Sequence, residues 1–402
     1  MPDLVGPDQI VAARQRVRDV VQATPLQPSR AVSAHAGVAT YLKCEHLQRT
    51  GSFKLRGAYN RIVQLPEAAR DRGVVCASAG NHAQGVALSA RLTGIRARVF
   101  MPVGAPLPKV EATRGYGAEI TLVDGGVDVA LSAATAHAED HGATLVHPFE
   151  HPDVIAGQGT LGLDLVDDLP DVGTVVVPIG GGGLISGVAA AVKAHRPGVR
   201  VIGVQAEQAA AVPASLRAGH PVRVEVGDTI ADGIAVAQPG ELTFAHIAAL
   251  VDDVVTVSDE AIARAVLLLA ERAKQVVEPS GAAGLAALLA GRVPAVAPVA
   301  VLLCGGNVDP LLLARIIHSG LASEGRHLDI RTRLPDRPGA LSDLLAEVAG
   351  AGANVVAIDH HRMTRALGLF EVELRLAVET RGAAHGDELV ARLREAGYPI
   401  AP

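Results

Sequence analysis

The feature that most constrains the fold is a run of four glycines, Gly180 to Gly183, directly after an apolar segment. The apolar segment, Thr174–Ile179, predicts a buried strand. A predicted helix follows to His195, and Val199–Val204 then predicts a second strand. This order is a βαβ unit, which is typical of parallel sheets covered by helices. The glycine loop would then lie at the carboxyl end of a strand, where open α/β sheets bind their ligands.

The same alternation of strands and helices extends over most of the chain, so we predict an α/β fold with mostly parallel sheets. The other predicted strands of this region are Ala39–Cys44, Gly73–Ala77, Arg96–Met101, Glu119–Val123 and Pro298–Leu303. The other predicted helices are Gln9–Val21, Lys109–Tyr116, Val127–Asp140, Ser258–Val277 and Pro279–Leu289.

The composition changes near residues 319–325, and the pattern beyond this point is different. Further strands are predicted at His327–Leu334, Asn354–Arg362 and Leu369–Val378, and helices at Ala340–Ala349 and Asp387–Glu395. The order βαββα, with or without a final strand at Tyr398–Ile400, is typical of a ferredoxin-like α+β module. We therefore predict two domains, residues 1–325 and 326–402.

Composition argues against several classes of protein. Aromatic residues make up 2% of the 402 residues and the formal net charge is −6, which argues against binding to nucleic acid. The longest apolar stretch, Ala282–Cys304, is broken by Gly291 and Pro294, so we expect no membrane span. Met1–Asp19 has no apolar signal-peptide core. The three cysteines have no zinc-binding spacing, which favours a reducing, cytoplasmic compartment and no metal site.

One lysine and the glycine loop are the first candidates for chemistry. Lys54 has small and apolar neighbours, and burial would lower its pKa as a Schiff-base amine requires. The alternative is a surface lysine at the start of a helix. The glycine loop could hold a phosphate on its N–H groups, or it could be a tight turn without a ligand. A dinucleotide loop is disfavoured because Ser186 occupies the position of its third glycine.

Two further loops have the same form as the glycine loop. Residues 78–82 (Ser-Ala-Gly-Asn-His) and 304–307 (Cys-Gly-Gly-Asn) also follow predicted strands. Such loops can cap a helix with nothing bound, or hold a substrate carboxylate on helix N–H groups. Three of them at strand ends, together with a candidate amine, favour an enzyme site.

The order of motifs resembles that of threonine ammonia-lyases, which belong to the tryptophan-synthase-β-like (fold type II) pyridoxal-phosphate enzymes. The resemblance covers about residues 8–320 and rests on the segments 52–54, 78–85, 157–160, 180–184, 229–233 and 278–282. It implies a two-lobed catalytic unit in which a smaller lobe, about residues 50–148, is inserted in the larger one. The C-terminal module, with Asp-Arg-Pro-Gly-Ala-Leu at 336–341, resembles an ACT domain.

The resemblance implies a role for each candidate. Lys54 would bind the aldehyde carbon of pyridoxal 5′-phosphate, Phe53 would line its ring, and Asn81 would hydrogen-bond its 3′-oxygen. The cofactor phosphate would be held by Gly180, Gly181, Gly182, Gly183 and Leu184. The substrate carboxylate would be received by Ser78, Gly80, Asn81 and His82.

Cys304 falls where the family usually has a serine facing the pyridine nitrogen. A thiol is a weaker hydrogen-bond donor than a hydroxyl group, so this contact would be weaker here. Either side chain is neutral, which would leave the ring nitrogen unprotonated and favour elimination over transamination.

The activity implied is dehydration and deamination of L-threonine to 2-oxobutanoate and ammonia, with L-serine giving pyruvate. Serine racemase is a related alternative, but Ala79 stands where racemases carry a serine, and Pro213 stands where their metal loop has an aspartate. A non-catalytic amino-acid sensor and an NAD-dependent enzyme are alternatives of other classes. An absorbance spectrum separates them, because lysine-bound pyridoxal phosphate is yellow.

The ACT-like module predicts regulation by an amino acid. Isoleucine is the expected effector if the enzyme supplies isoleucine biosynthesis, and valine would oppose it. The effector's polar end would be bound at the strand–helix turn by Asp336, Pro338, Gly339, Ala340 and Leu341. The alternative is a module that mediates only subunit contacts. A homodimer or homotetramer is expected in either case.

Overall fold

The computed structural model describes residues 2–362 and 368–400, and the chain divides into two compact units, Met1–Pro310 and Leu311–Pro402. The predicted α/β architecture with a separate α+β module is confirmed. The domain boundary near residue 325 stays a prediction. No helix of the described residues is long and apolar enough to cross a membrane.

The N-terminal unit alternates helices and strands along most of its length. Its helices are α1 (Pro7–Val17), α2 (Arg30–Ala36), α3 (Lys54–Ile62), α4 (Glu67–Arg72), α5 (Asn81–Thr93), α6 (Leu107–Gly115), α7 (Val127–His141), α8 (Pro152–Asp168), α9 (Gly183–His195), α10 (Ala211–Ala218), α11 (Glu241–Leu250), α12 (Asp259–Leu268) and α13 (Pro279–Leu289). Its strands are β1 (Leu26–Pro28), β2 (Thr40–Lys43), β3 (Val74–Ala77), β4 (Ala97–Pro102), β5 (Glu119–Val123), β6 (Thr144–Leu145), β7 (Thr174–Pro178), β8 (Arg200–Ala206), β9 (Asp253–Val257) and β10 (Val299–Leu302).

These strands form two sheets, one in each lobe. The larger sheet has the order β1-β2-β10-β7-β8-β9 and is parallel except for the β1–β2 pair. The smaller sheet has the order β5-β4-β3-β6 and is parallel throughout. Every residue of β7 and β10 is buried, as expected for strands covered by helices on both faces. The segment that forms the smaller sheet lies between β2 and β7 in the chain.

Helix α8 packs closely against α3 on one side and against α9 on the other. Gly157 lies inside α8, and a Cβ there would be 2.5 Å from the carbonyl oxygen of Arg56 in α3. A Cβ at Gly187 in α9 would be 2.3 Å from the carbonyl oxygen of Ile155 in α8. Only glycine allows these backbones to approach so closely. The glycines near residue 157 therefore belong to a buried helix, which the periodicity of the sequence did not indicate.

One predicted helix, Ser258–Val277, is too long. The α-helix ends at Leu268, a π-helical turn covers Leu269–Ala273, and Lys274 has a left-handed φ of 59°. The side chain of Gln275 is hydrogen-bonded to Gln27 (2.9 Å) and to His46 (2.8 Å). These tertiary contacts accompany the break in a segment whose residues have high helix propensity.

Helix α14 (Pro310–Ser323) begins at the last residue of the N-terminal unit and otherwise belongs to the C-terminal unit. This unit also contains β11 (His327–Pro335), α15 (Ala340–Gly350), β12 (Asn354–His361), β13 (Glu371–Glu379) and α16 (Ala383–Glu395). Its antiparallel sheet has the order β11-β13-β12, which confirms the predicted βαββα module. The optional strand at residues 398–400 is not formed. Alternate side chains of β13, such as Leu374 and Leu376, are buried against Leu344 of α15 and Leu389 of α16.

Candidate active site

A cavity of about 950 Å³ lies at the carboxyl ends of β3, β7 and β10, next to the N-terminus of α3. Its lining includes every residue that the sequence predicts for the catalytic site: Phe53, Lys54, Ser78, Gly80, Asn81, His82, Gly180, Gly181, Gly182, Gly183, Leu184 and Cys304. Loops from both lobes therefore meet around one space.

Lys54 is the first residue of α3, and its side chain is half-buried in the cavity wall. Its Nζ atom donates a hydrogen bond to the carbonyl oxygen of Pro148 (3.0 Å) and lies 5.3 Å from the centroid of the Phe53 ring. Burial lowers the pKa of Lys54 to about 8, although Glu278 and Cys304 act in the opposite direction. A substantial fraction of the amine is therefore neutral near physiological pH, as a nucleophile or base must be.

The glycine loop presents unpaired backbone donors to the same cavity. Within the described residues, the N–H groups of Gly181, Gly182 and Gly183 donate no hydrogen bond. Gly182 has a left-handed φ of 99°, and a Cβ at Gly181 would be 2.2 Å from the Phe149 ring. Side chains are thus excluded from a loop whose unpaired donors lie at the start of α9, which is the arrangement that binds a phosphate.

Residues 78–82 form the second loop, at the start of α5. The Ser78 hydroxyl accepts a hydrogen bond from the N–H of Gly80 (3.1 Å). The N–H groups of Asn81 and His82 have no acceptor among the described residues, so they are free for a carboxylate. The His82 ring is buried and its Nε2 atom bonds to the carbonyl oxygen of Val146 (2.8 Å). Burial and the Lys54 charge lower the pKa of His82 to about 3, so its ring is neutral.

Cys304 follows β10 and lines the cavity. The glycine loop follows β7, which is the neighbouring strand of the sheet. Its Sγ atom lies 3.5 Å from the carbonyl oxygen of Leu302. Burial raises the pKa of the Cys304 thiol well above its ordinary value, and Glu45 and Glu278 add to the effect. The side chain is therefore a neutral thiol.

The structure adds residues to which the sequence analysis gave no role. Glu278 belongs to the segment 278–282, which the sequence analysis used only for the resemblance. Its carboxyl group accepts a hydrogen bond from Asn81 Nδ2 (2.7 Å) in the cavity wall. Burial and Asp232 raise the pKa of Glu278 to about 7, against the effect of Lys109. Ser280 also lines the cavity, and its buried hydroxyl has no hydrogen-bond partner among the described residues. An acidic residue in the otherwise uncharged run of 276–289 was the available signal for Glu278.

The predicted effector residues lie in the C-terminal unit, at the turn between β11 and α15. The Asp336 carboxylate pairs with Arg362 (3.3 Å), and Gly339 precedes α15 with a left-handed φ of 90°. Ala340 is buried, and Leu341 packs partly against the core of this unit. The first turn of α15 leaves backbone N–H groups without intrahelical acceptors. Pro338 lies in the same turn.

The fold and the cavity define a class of protein: a two-lobed α/β enzyme with a half-buried lysine amine and a separate loop suited to a phosphate. A family model described as "Pyridoxal-phosphate dependent enzyme" matches residues 17–305, and a model of the ACT domain matches residues 329–397. The chain therefore belongs to the pyridoxal-phosphate-dependent enzyme family and carries a C-terminal ACT domain. The family assignment confirms the predicted dependence on pyridoxal phosphate.

Relatives support a narrower comparison. The chain is 48% identical to the L-threonine ammonia-lyase of Thermotoga maritima, over 98% of each chain. It is 42% identical to the catabolic L-threonine dehydratase of Escherichia coli, over 76% of this chain and 94% of that protein. Among solved structures, maize serine racemase is 37% identical, with a TM-score of 0.75 over 80% of this chain and 100% of that chain. The predicted resemblance to threonine ammonia-lyases is confirmed.

Proposed function

We propose that this protein is an L-threonine ammonia-lyase that converts L-threonine to 2-oxobutanoate and ammonia, with L-serine as a second substrate. The observation that carries the proposal is a single cavity with three features. It contains a partly neutral lysine amine, a glycine loop with unpaired N–H groups and free N–H groups at the start of α5. The activity also agrees with the name of a relative that is similar over 98% of this chain.

The residues present fit pyridoxal 5′-phosphate. The unpaired N–H groups of Gly181 to Gly183 suit its phosphate, the Lys54 amine suits its aldehyde, and the neutral Cys304 thiol suits an unprotonated ring nitrogen. When bound, the cofactor supplies an electron sink for the negative charge that develops at the substrate α-carbon.

The chain's own residues then have distinct tasks. The free N–H groups of Asn81 and His82 hold the substrate carboxylate at the helix N-terminus. The neutral Lys54 amine removes the α-proton. The β-hydroxyl group takes up a proton as it leaves as water, and Lys54 gives up the α-proton when it returns to its neutral form. The resulting enamine hydrolyses to 2-oxobutanoate and ammonia.

Racemisation is disfavoured by the residue beside Ser78. Ala79 lines the cavity, and its methyl group can neither donate nor accept a proton. A racemase needs a second base that returns the proton to the opposite face of the α-carbon. We therefore keep elimination as the function although a serine racemase shares the fold.

The ACT domain supports regulation by an amino acid. Within the proposal, isoleucine is the effector, valine opposes it, and the turn from Asp336 to Leu341 binds the effector's polar groups. A homodimer or homotetramer and a cytoplasmic location stay predictions. The three cysteines are free and buried, as a reducing compartment favours.

The first experiment is an absorbance spectrum of the purified protein, followed by a 2-oxobutanoate assay with L-threonine. We expect a yellow protein that forms the ketoacid, and a Lys54→Ala variant that does neither. Lys193→Ala is the matched control, because Lys193 pairs with Asp252 (2.8 Å) away from the cavity lining. A colourless protein that stays inactive with added pyridoxal phosphate would instead favour an amino-acid sensor.

A further inference from the structure

Glu278 is a buried carboxyl group that the proposed reaction does not use. It directly precedes α13, its residue surface is 5% exposed, and it belongs to the cavity lining. Its backbone N–H donates to the carbonyl oxygen of Gly305 (3.0 Å), which ties this segment to the end of β10. A carboxyl group kept at such a place costs desolvation free energy, so its contacts are informative.

The contacts of Glu278 determine the orientation of one neighbouring amide. Asn81 Nδ2 donates to Glu278 Oε1 (2.7 Å), and Asn81 Oδ1 accepts a hydrogen bond from Asn307 Nδ2 (2.7 Å). Asn307 Nδ2 also donates to the carbonyl oxygen of Thr50 (2.8 Å). A flipped Asn81 would turn its oxygen towards the carboxyl oxygen and its NH₂ towards another NH₂. Both ends of the amide therefore select the same orientation.

The adjacent glycine makes room for this arrangement. A Cβ at Gly305 would lie 2.1 Å from Glu278 Oε1 and 3.0 Å from Asn81 Nδ2. Any side chain at this position would displace the carboxyl group from the amide. The contact between Glu278 and Asn81 thus explains why position 305 is a glycine, without a role in ligand binding.

One N–H of the Asn81 amide remains available. Its Nδ2 atom carries two hydrogens, and Glu278 is its one acceptor among the described residues. We propose that Glu278 is a positioning residue, which holds the Asn81 amide so that its second N–H is presented to the cofactor oxygen. This inference rests on the proposed function, in which Asn81 hydrogen-bonds the cofactor's 3′-oxygen.

The test compares Glu278→Gln with Glu278→Met in the full-length holoenzyme. Gln keeps an acceptor oxygen for Asn81, whereas Met has a similar length and no strong acceptor. The readouts are the absorbance spectrum of the lysine-bound cofactor and the dissociation constant of pyridoxal phosphate. We expect E278M to change the spectrum and to weaken cofactor binding about tenfold, since one hydrogen bond is lost. We expect E278Q to stay within about twofold of the wild type.

A double mutant separates positioning from a general structural role. If Glu278 acts through Asn81, the spectrum of Asn81→Ala should not change further when E278M is added. Should E278M fail to fold, Asn307→Ala releases the same amide from its other end and should shift the spectrum in the same way. Unchanged E278M or N307A spectra, or a full additional effect in the N81A background, would overturn the inference. A colourless wild type would instead remove the proposed function, and this inference with it.

Discussion

Burial of Lys54 changes which form of the amine is present near neutral pH. The pKa of an ordinary lysine is 10.5, but that of Lys54 is lowered to about 8 by desolvation. Below pH 8 the neutral fraction falls about tenfold per pH unit. Capture of the cofactor aldehyde requires the neutral amine, so its rate should follow this fraction.

We therefore expect the rate at which cofactor-free protein captures pyridoxal phosphate to rise with pH up to about 8 and then level off. The capture rate is measured in stopped-flow experiments as the rate at which the yellow absorbance appears. The series runs from about pH 6 to about pH 10, which brackets the Lys54 pKa of about 8. A rate that keeps rising beyond pH 9 would mean that the amine has an ordinary lysine pKa.

Arg56, two residues after Lys54, forms a buried ion pair that holds α3. Its Nε and Nη2 atoms bond to the two carboxylate oxygens of Glu45 (2.9 Å each), and both side chains are at most 1% exposed. Arg56→Met would leave the Glu45 charge buried without its cation. We expect a loss of about 3–5 kcal/mol in the free energy of unfolding, measured with urea.

Arg61→Met is the control on the same helix. Arg61 pairs with Asp153 (3.2 Å), but both side chains are more than a fifth exposed. Loss of such a pair should cost less than about 1 kcal/mol. Equal losses for the two variants would show that burial does not distinguish these ion pairs.

At the scale of elements, α11 orients the glycine loop. Thr243 Oγ1 donates to the carbonyl oxygen of Gly181 (2.7 Å), and the Thr243 N–H is itself bound to Glu150 Oε2 (3.3 Å). Because the peptide unit is planar, fixing the Gly181 carbonyl also fixes the direction of the Gly182 N–H. The Gly182 N–H is one of the unpaired donors of the glycine loop.

Thr243→Val should therefore weaken pyridoxal-phosphate binding by about fivefold to tenfold, because the hydroxyl group that holds Gly181 is lost. Thr243→Ser keeps the hydroxyl group and should bind the cofactor nearly as well as the wild type. Equilibrium dialysis gives both dissociation constants. A lower melting temperature without a change in binding would limit Thr243 to stabilising α11.

The same elements show how far the sequence predicts the structure. β7, the glycine loop and α9 could be predicted because an apolar run, glycines and an alanine-rich segment are local signals. The contact between Asn81 and Glu278 could not, because it joins residues 197 positions apart. The end of the helix predicted to Val277 was likewise missed, since distant partners of Gln275 accompany the break.

At the scale of the whole molecule, each compact unit has a hydrophobic core of its own. The N-terminal unit has separate clusters under the larger and the smaller sheet, and the C-terminal unit is built around residues such as Leu344 and Leu389. The cavity and all the predicted catalytic residues belong to the first unit, whereas the predicted effector turn belongs to the second. Catalysis and regulation should thus be separable by deleting the ACT domain of the second unit.

A chain that ends after Ser323, at the end of α14, should bind pyridoxal phosphate and form 2-oxobutanoate, but it should no longer respond to isoleucine. The reason is that it keeps the whole cavity and loses the ACT fold, so the effector has no differential affinity through which to act. The measurement is ketoacid formation with and without isoleucine, beside full-length Asp336→Ala. That variant should keep the activity and lose only the response, because Asp336 lies outside the cavity lining. A shortened chain that still responds to isoleucine would assign the effector site to the N-terminal unit.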